Sequence, residues 1–304
     1  MDRKSLSIII PTYNRRDILA KALAALLGQL GPGGGREIIV VDDGSTDGTS
    51  EYFKPGRPGA AAGVRYFRQP NRGPAAARNL GISEAAGEVL LFLGDDTLAS
   101  PGLLDRHAAW HAANPDPAHA LLGYVTWAKD LETTPFMEWL EDGGPQFSYG
   151  SLADGAEADP SRFFYTSNVS VKRSFVLGRA LFDEEFRYAA FEDIELGGRL
   201  KTLGLRLYFD RGALAWHDHY TSLGSACARM DKVGESAALF YRKTGRRPAA
   251  PQPWPKKALK AVKFSLYGAL ARLCEKRFRA DRVFRYVMDY CLEKGLERAA
   301  GKRR

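Results

Sequence analysis

The protein is a chain of 304 residues, of which 45% are hydrophobic and 26% are charged. These ordinary values for a folded globular protein exclude a disordered polymer, a collagen-like fibre and a small disulfide scaffold. The longest apolar runs, such as residues 6–10 and 89–93, are far shorter than the roughly 18 residues that a membrane-spanning helix needs, so no spanning helix is predicted.

The positive charge of the chain is concentrated at one end. Lysine and arginine total 44, aspartate and glutamate total 36, and the net charge is +8. Residues 254–304 hold 15 basic and 5 acidic residues, so this tail carries +10 and the rest of the chain carries −2. A basic tail attracts anionic partners such as lipid headgroups or nucleic acid.

The cysteines and the N-terminal residues indicate in which cellular compartment the protein is expected. Cys227, Cys274 and Cys291 are odd in number, far apart and without a CxxC pair. The chain enters an apolar strand at once and shows no signal-peptide region. We therefore expect a reduced, cytoplasmic protein.

The first hundred residues alternate between strand-like and helix-like patterns. Short β-branched and aliphatic runs predict strands buried on both faces at residues 6–11, 37–43, 64–68 and 88–93. Helical stretches lie between them at residues 17–30, 46–53 and 74–86. This alternation predicts an α/β fold with a mostly parallel sheet between two layers of helices. Residues 11–14 read PTYN, not the glycine-rich loop of a dinucleotide-dependent dehydrogenase.

The rest of the chain is more mixed. It predicts helices at residues 101–114, 191–203 and 221–243, strands at 118–127, 163–171 and 205–209, and a long irregular stretch at 130–158. A proline-rich segment at 246–255 breaks the chain, and two basic helices follow at 256–274 and 280–300. We expect a first domain over residues 1–220 and a basic helical extension over 221–304.

Acidic and turn-forming residues follow three of the predicted strands, at the edge where open parallel sheets bind ligands. The strands run into PTYNR (11–15), DDGS (42–45) and GDD (94–96). One aspartate pair after a strand is also typical of a turn or helix cap. Two pairs at neighbouring strand ends repel each other, and a divalent cation, Mn²⁺ or Mg²⁺, is the simplest compensation. This arrangement suits a nucleoside diphosphate.

Five motifs occur in the order seen in family 2 glycosyltransferases of the GT-A fold, which this chain resembles over roughly residues 5–220. They are IIIPTYNR (8–15), VVDDGSTDGT (40–49), NRGPAAARNLGI (71–82), LFLGDD (91–96) and FEDIELGGRL (191–200). The resemblance implies transfer of a sugar from a nucleotide-sugar to an acceptor hydroxyl, with inversion and a bound divalent metal. We expect a glycan or lipid-linked acceptor, in bacterial-type polysaccharide or glycoconjugate synthesis.

The resemblance also implies which residues bind the donor. Pro11 and Tyr13 match positions that line the base pocket, with the tyrosine ring stacked on the base. Asp43 matches the position that accepts a hydrogen bond from the imide of uracil, which favours a UDP donor, although thymine presents the same edge. Arg78 matches a position near the nucleotide, and Asp42 is expected to cap the turn.

The GDD sequence stands where the family carries its metal-binding DxD motif. Asp96 matches the metal ligand, and Asp95 matches the residue that contacts the ribose or shares the metal. Gly94 replaces an acid that many relatives have. His217, in WHDH, matches a histidine that completes the metal or diphosphate shell; an exposed loop histidine is the alternative.

The pair Glu192-Asp193 matches the family's ED motif. Asp193 is the expected catalytic base, which takes the proton of the acceptor hydroxyl. An acidic first turn favoured by the helix dipole is the structural alternative. Glu192 and Asn168 are expected to contact the sugar or acceptor. A further pair, His107 and His111, has the spacing of HExxH without its glutamate, so we expect incidental surface histidines.

The basic tail carries an apolar stripe at helical spacing, formed by Leu259, Val262, Leu266, Leu270 and Leu273. Such a helix either lies on an anionic membrane surface or packs its stripe against the rest of the protein or a second subunit. The first arrangement would place the protein at the inner face of the plasma membrane, near lipid-linked or cell-surface acceptors.

Two other functions share features with this sequence. A nucleotidyltransferase also combines an α/β sheet, a nucleotide and acidic metal ligands, but usually has a glycine-rich loop with a basic residue where this chain has PTYNRRD. A non-catalytic binder of anionic polymers would use the basic tail. Nucleic acid is not an expected partner, because the charge lies at one end and no nucleic-acid motif is visible. The sugar, acceptor, linkage and oligomeric state stay open.

Overall fold

A computed structural model describes residues 5–31, 35–142, 144–146, 149–245 and 254–301, with the backbone alone for 254–258. Its strands are β1 Leu6–Thr12, β2 Arg36–Asp42, β3 Val64–Arg68, β4 Val89–Leu93, β5 Thr97–Ala99, β6 His119–Trp127, β7 Glu157–Ala158, β8 Asn168–Lys172 and β9 Arg206–His217. Its helices are α1 Arg16–Leu27, α2 Thr49–Tyr52, α3 Pro74–Glu84, α4 Leu103–Ala113, α5 Pro135–Asp142, α6 Pro160–Phe163, α7 Arg173–Val176, α8 Glu192–Thr202, α9 Leu223–Thr244, α10 Trp254–Cys274 and α11 Asp281–Gly301.

The described strands form one mixed sheet in the order β3-β2-β1-β4-β8-β6-β9-β5, with β7 also paired to β9. Strands β1 to β4 are parallel to one another, as the sequence predicts. Strand β8 is antiparallel to β4 and β6, whereas β6 and β9 are parallel. The side chains of β4 are buried on both faces, which explains its continuous apolar run. The carboxyl ends of β1, β2 and β4 therefore meet at one edge.

The second half of the chain differs from the sequence prediction at several elements. The strand predicted at 163–171 begins too early: Pro160 starts the short helix α6, capped by Asp159, and the chain joins the sheet only at Asn168. The stretch predicted as irregular contains α5, whose apolar side chains are buried. The strand predicted at 205–209 continues to His217 as β9, and its partner β5 was not predicted.

Two histidines expected at the surface are buried under the sheet, so that expectation is wrong. His107 and His111 place a ring nitrogen 2.7 and 2.8 Å from the Ser170 hydroxyl, and His107 Nε2 lies 3.0 Å from Asn168 Oδ1. Burial lowers the pKa of His107 to about 4 and that of His111 to about 3. Both rings are therefore neutral members of a polar cluster in the core.

The chain forms two compact units. The first comprises Met1–Lys129, Leu152–Arg187 and Glu192–Asp218, and the second comprises Asp130–Ser151, Tyr188–Phe191 and His219–Arg304. The division expected at residue 220 stays a prediction, and two earlier segments join the C-terminal helices in the second unit. Most of the break predicted at 246–255 lies outside the described residues.

The second unit is built on helices. Helix α9 begins with a capping box at Ser222. It approaches α11 closely at Gly234, where a β-carbon would lie 2.3 Å from the Gly295 carbonyl carbon. The rings of Phe136 and Trp139 of α5 pack on Phe284 of α11. Across the described residues, every helix is too short or too polar to cross a membrane.

Candidate active site

The ends of β1, β2 and β4 are tied together by side-chain hydrogen bonds. Thr12, the last residue of β1, donates its hydroxyl to Asp95 Oδ2 at 2.8 Å. The Asn14 backbone N–H donates to Ser45 Oγ at 2.8 Å, and Asn14 Oδ1 accepts from the Thr46 backbone N–H at 2.7 Å. Three segments distant in sequence thus form one surface at the edge of the sheet.

Asp43 anchors the segment that leads into α3. Its carboxylate accepts hydrogen bonds from Gln69 Nε2 at 2.7 Å and from the backbone N–H groups of Arg72 and Gly73 at 2.8 Å. Asp42 accepts from the Ser45 N–H at 2.7 Å, consistent with the turn-capping role expected for it. A carboxylate has about four acceptor positions, so Asp43 retains capacity for one further donor.

The tyrosine expected to stack on a base is accessible. Tyr13 follows β1 and is 48% exposed. Pro11, expected beside it, is partly buried near the end of β1. The next residue, Asn14, has a φ of +53°, a left-handed conformation that turns the chain sharply after Tyr13. An exposed ring held at a rigid turn is suited to stacking on a ligand.

A cationic side chain bridges the two aspartates expected to bind metal. Arg15 donates from Nη1 to Asp95 Oδ1 and from Nη2 to Asp96 Oδ2, each at 2.8 Å. Both carboxylates are largely buried, whereas Arg15 is 30% exposed. Arg15 belongs to the PTYNR motif but was not among the predicted site residues. The position of the motif at a strand end was the signal that could have found it.

His217 contacts the Asp96 carboxylate because β5 pairs with β9, a pairing that was not predicted. Strand β5 begins one residue after Asp96, and Thr97 pairs with His217 of β9. The Asp218 N–H also donates to the Asp96 carbonyl at 2.9 Å. This pairing brings His217 Nε2 to 3.3 Å from Asp96 Oδ2. His217 is 8% exposed and belongs to β9, not to an exposed loop.

Gly94, the departure from the DxD motif, is tightly packed. A β-carbon at this position would lie 2.8 Å from Asp96 Oδ1 and 2.9 Å from Thr97 Oγ1. Real β-carbons almost never approach other heavy atoms so closely. The turn therefore has no room for a side chain while Asp96 keeps its orientation.

The pKa values of Asp95 and Asp96 are shifted in opposite directions. Burial raises the pKa of Asp95 to about 6, an effect that Arg15 only partly offsets. Burial also disfavours the charged form of Asp96, but the His217 imidazole and the Arg15 guanidinium outweigh it and hold the pKa of Asp96 below its ordinary value. Asp96 is thus the more firmly ionised of the two.

Arg78 and Glu192 form a buried ion pair. Arg78 Nη1 donates to Glu192 Oε1 at 2.8 Å, and the two residues are 6% and 2% exposed. Within the described residues, Arg78 Nε and Glu192 Oε2 have no hydrogen-bond partner. The expectation that Glu192 contacts the acceptor is not met here, because its carboxylate is buried against Arg78. The pair instead fixes the start of α8.

Asp193 lies in an environment that suits a base. Burial and the neighbouring Glu192 carboxylate raise its pKa to about 7, although Arg78 acts in the opposite direction. Its Oδ1 accepts from the Ile194 N–H at 2.8 Å. The residue before this pair, Phe191, has a φ of +68°, which is strained for a bulky side chain.

The strand register brings Asp193 towards the aspartate pair. Strands β4 and β8 are antiparallel, with Leu93 opposite Asn168. Residues just after Leu93 therefore lie beside residues just before Asn168. One of these is Thr166, whose backbone N–H donates a hydrogen bond to the Asp193 carboxylate. The base candidate and the Asp95-Asp96 turn thus occupy the same end of the first unit.

Asn168 does not line a pocket, and that expectation is wrong. Its side chain is fully buried. Its Nδ2 donates to the Ala213 carbonyl at 2.8 Å, and its Oδ1 faces His107. The amide group is therefore used to join β8 to β9 and α4 in the core.

The fit of a divalent cation can be judged from the donor set. The described residues contain no group of three or more His, Cys, Asp and Glu side chains arranged to hold a metal. Arg15 does bridge the Asp95 and Asp96 carboxylates as a cation would, and His217 Nε2 lies 3.3 Å from Asp96 Oδ2. Two carboxylates completed by water and substrate phosphates suit Mg²⁺ or Mn²⁺. The residues fit such an ion as a partial site.

The sequence is similar to known glycosyltransferases. The profile described as glycosyl transferase family 2 matches residues 7–165. Validoxylamine A glucosyltransferase of Streptomyces hygroscopicus subsp. limoneus is 30% identical over 254 residues, covering 75% of this chain and 55% of that protein. Chondroitin synthase of Escherichia coli is 28% identical over 275 residues, covering 78% of this chain and 39% of that protein. The chain thus spans about half, or less, of the length of these relatives.

Solved structures share the fold. A mannosyltransferase from Pyrobaculum calidifontis, in complex with GDP-Man and Mn²⁺, matches with a TM-score of 0.63 at 18% identity and covers 99% of this chain and 87% of its own. Residues 1–349 of S. aureus TarS, in complex with UDP, match with a TM-score of 0.56 at 16% identity and cover 97% and 90%. These matches confirm the predicted GT-A type α/β fold with a helical C-terminal part.

Proposed function

Because the chain belongs to glycosyl transferase family 2, we propose that it transfers a sugar from a nucleoside-diphosphate sugar to an acceptor hydroxyl, with inversion. The observation that carries the proposal is the arrangement at the carboxyl end of the sheet. Asp95, Asp96, Arg15 and His217 form a charged cluster there, and Asp193 lies at the same end of the unit. Sugar transfer needs charged groups that bind the departing diphosphate and a base that activates the acceptor hydroxyl, and the two must lie close together.

The donor would bind at the ends of β1 and β2. The exposed ring of Tyr13 suits stacking on a base, with Pro11 beside it. The carboxylate of Asp43 has one acceptor position to offer an imide N–H, which favours UDP. Solved neighbours carry UDP in one case and GDP-Man in another. Arg78 supports the donor region indirectly, because its guanidinium is paired with Glu192.

A divalent cation, Mn²⁺ or Mg²⁺, would be held by Asp96 and His217, with Asp95 sharing the ion or contacting the ribose. When bound, it neutralises the charge that develops on the departing diphosphate. Arg15 binds the Asp96 carboxylate, so an ion held by Asp96 would compete with the guanidinium for it. Arg15 then becomes available to the phosphate oxygens, which guanidinium groups bind well.

Asp193 would act on the acceptor. Its carboxylate accepts the hydroxyl proton while the oxygen forms a bond to the anomeric carbon, and the bond from that carbon to the diphosphate oxygen breaks. The electron pair leaves with the nucleoside diphosphate. A base with a pKa of about 7 is well matched to neutral pH. Glu192, paired with Arg78, is a positioning residue that holds Asp193 in place.

The acceptor is proposed as a hydroxyl of a glycan or lipid-linked sugar, in bacterial-type polysaccharide or glycoconjugate synthesis. Relatives named as a chondroitin synthase and a glucosyltransferase support this class. A nucleotidyltransferase acting on sugar phosphates is the alternative. It would release inorganic pyrophosphate, whereas a glycosyltransferase releases a nucleoside diphosphate.

The experiment is a panel of UDP-, GDP- and dTDP-sugars incubated with the protein and Mn²⁺, with release of the nucleoside diphosphate as the readout. We expect slow hydrolysis of one donor without acceptor and faster release with the right glycan. Asp193→Asn should suppress the faster release. Release of pyrophosphate from a nucleoside triphosphate and a sugar phosphate would instead support the alternative.

A further inference from the structure

Helix α10 has two apolar faces, and only one of them is packed. On the packed face, Phe264 stacks on Tyr290 with ring centroids 4.2 Å apart, and Tyr267 meets Tyr286 edge to face at 5.0 Å. Ala271 is fully buried on the same face. This face holds α10 against α11 in the second unit.

The other face is exposed and will be called the leucine stripe. Its exposed fractions are 69%, 60%, 66%, 42% and 61% for Leu259, Val262, Leu266, Leu270 and Leu273. At about 100° per residue, the five side chains fall within about 80° of the helix circumference. Within the second unit, the stripe is thus not covered by the other described residues.

Positive charge lies near the stripe on α10 and on the turn that follows it. Residues 254–274 contain five basic residues and no acidic ones. Lys263 borders one side of the stripe and the exposed Arg272 lies beyond the other, as the helical wheel requires. The turn after α10 adds Lys276 and Arg277, both exposed, and Phe278, which is 55% exposed.

We propose that the leucine stripe is a docking surface for an anionic lipid bilayer, with α10 lying in the plane of the interface. Leucines on one face with lysine and arginine at its borders are the pattern of interfacial helices. The leucines enter the acyl boundary, and the basic residues remain at the level of anionic headgroups.

Other occupants fit the surface less well. An acidic polymer would pair with the basic residues and leave the leucines in water. A second copy of the chain would bring two helices without acidic residues into contact, so their like charges would repel. A bilayer that carries negative charge satisfies both the apolar and the basic parts of the surface. The inference concerns binding to a surface and is independent of the sugar-transfer reaction.

The experiment is co-sedimentation of the full chain with two kinds of vesicle. One is phosphatidylcholine alone, and the other contains about one third phosphatidylglycerol. No donor, acceptor or metal is present, so a failure of the proposed function does not affect the measurement. We expect binding to the anionic vesicles that is at least about 10-fold stronger than to neutral ones and that weakens at about 0.5 M salt.

Two variants test the two parts of the surface. Leu266→Ser with Leu270→Ser should reduce binding to anionic vesicles about 10-fold or more. Arg272→Gln with Lys276→Gln and Arg277→Gln should reduce it similarly and remove the preference for anionic lipid. Leu203→Ser is the matched control, because Leu203 is 47% exposed in the first unit, and it should bind as wild type. Circular dichroism confirms that each variant is folded.

Three outcomes would overturn the proposal. The first is binding of the wild-type chain to neither vesicle, or equally to both. The second is an anionic preference that the leucine variant leaves unchanged, which would make the interaction purely electrostatic. The third is a dimer of the wild-type chain that the leucine variant dissociates, which would assign the stripe to a second copy.

Discussion

Arg15 and Asp96 lie 81 residues apart in sequence, yet Arg15 Nη2 donates to Asp96 Oδ2 at 2.8 Å. The same guanidinium binds Asp95, so a single side chain neutralises the repulsion between adjacent buried carboxylates. The guanidinium thereby supplies the positive charge that the two carboxylates need in the metal-free protein. On the proposed function, donor-bound and donor-free proteins should differ in which cation holds the aspartates.

Replacing Arg15 by alanine should destabilise the metal-free protein and increase the effect of metal. Two carboxylates lose their shared partner, at a cost of about 1–2 kcal/mol given the partial exposure of Arg15. Thermal unfolding should show a lower Tm without metal and a larger rise on adding Mn²⁺ than in wild type. Arg16→Ala, at an exposed pair with Asp17, is the control. If Mn²⁺ raised the Tm of Arg15→Ala and of wild type by the same amount, Arg15 would not be the group that neutralises the aspartates.

Asp96→Asn should weaken metal binding. The substitution keeps the shape of the side chain but removes the charge that attracts a divalent ion. Calorimetric titration with Mn²⁺ in the presence of the nucleoside diphosphate should give an affinity lower by about 10-fold or more. Asp105→Asn, at an exposed pair with Arg36, should titrate as wild type. An unchanged affinity in Asp96→Asn would show that the ion binds elsewhere.

Asp193→Asn should nearly abolish transfer while the protein still binds its donor. Loss of a general base costs about 10²–10⁴ in rate, and the amide leaves the donor contacts in place. Transfer kinetics should show a fall in kcat with a donor KM within about 3-fold of wild type. Glu195→Gln on the same helix, where Glu195 pairs with Arg199 at 2.7 Å, is the control. Near-normal turnover in Asp193→Asn would require another base.

Transfer should depend on pH near neutrality. Because the pKa of Asp193 is raised to about 7, the active carboxylate form declines as pH falls below that value. The sign for stability is opposite: the folded chain binds this proton more tightly than the unfolded chain, so stability declines as pH rises from about 4 to about 7. Asp193→Asn should therefore be stabilised relative to wild type at pH 8 but not at pH 4. A flat rate profile between pH 5.5 and 8.5 would contradict this assignment.

Asn168→Ala should affect folding, not substrate binding. The substitution removes hydrogen bonds to the Ala213 carbonyl and to His107 inside the core, at a cost of about 2–3 kcal/mol. Denaturant unfolding should show this loss, while the donor KM of the folded enzyme stays unchanged. A raised KM with normal stability would restore Asn168 to the substrate pocket.

Local patterns predicted the fold well where neighbouring residues decide it. The buried runs that became β1, β2 and β4 and the turns after them needed no distant partner, and DDGS was correctly expected to hold Asp42 as a turn cap. Residues 64–68 form the predicted strand β3, but the expectation that it is buried on both faces is wrong, because its residues are half-buried or exposed. Relations across the chain were not visible in this way. The bridge from Arg15 to the aspartates and the cluster around Ser170 each depend on strand register.

The leucine stripe shows a second limit of sequence reasoning. A helical repeat of leucines shows that the residues share a face, but not what covers that face. In the structure, α10 uses its aromatic side chains for packing and leaves the leucines outside. Likewise, residues 163–171 look extended from composition, yet Pro160 and the Asp159 cap impose a helical turn first.

Gly94 limits the ways in which this enzyme can be altered. Because a β-carbon there would collide with Asp96 Oδ1, an acid at position 94 and the present orientation of Asp96 exclude each other. To admit a side chain at position 94, the Asp96 carboxylate would have to shift, and its other oxygen is the one that Arg15 and His217 contact. A side chain introduced at position 94 would therefore act through Asp96, so its effect would reach the contacts that Asp96 makes with Arg15 and His217.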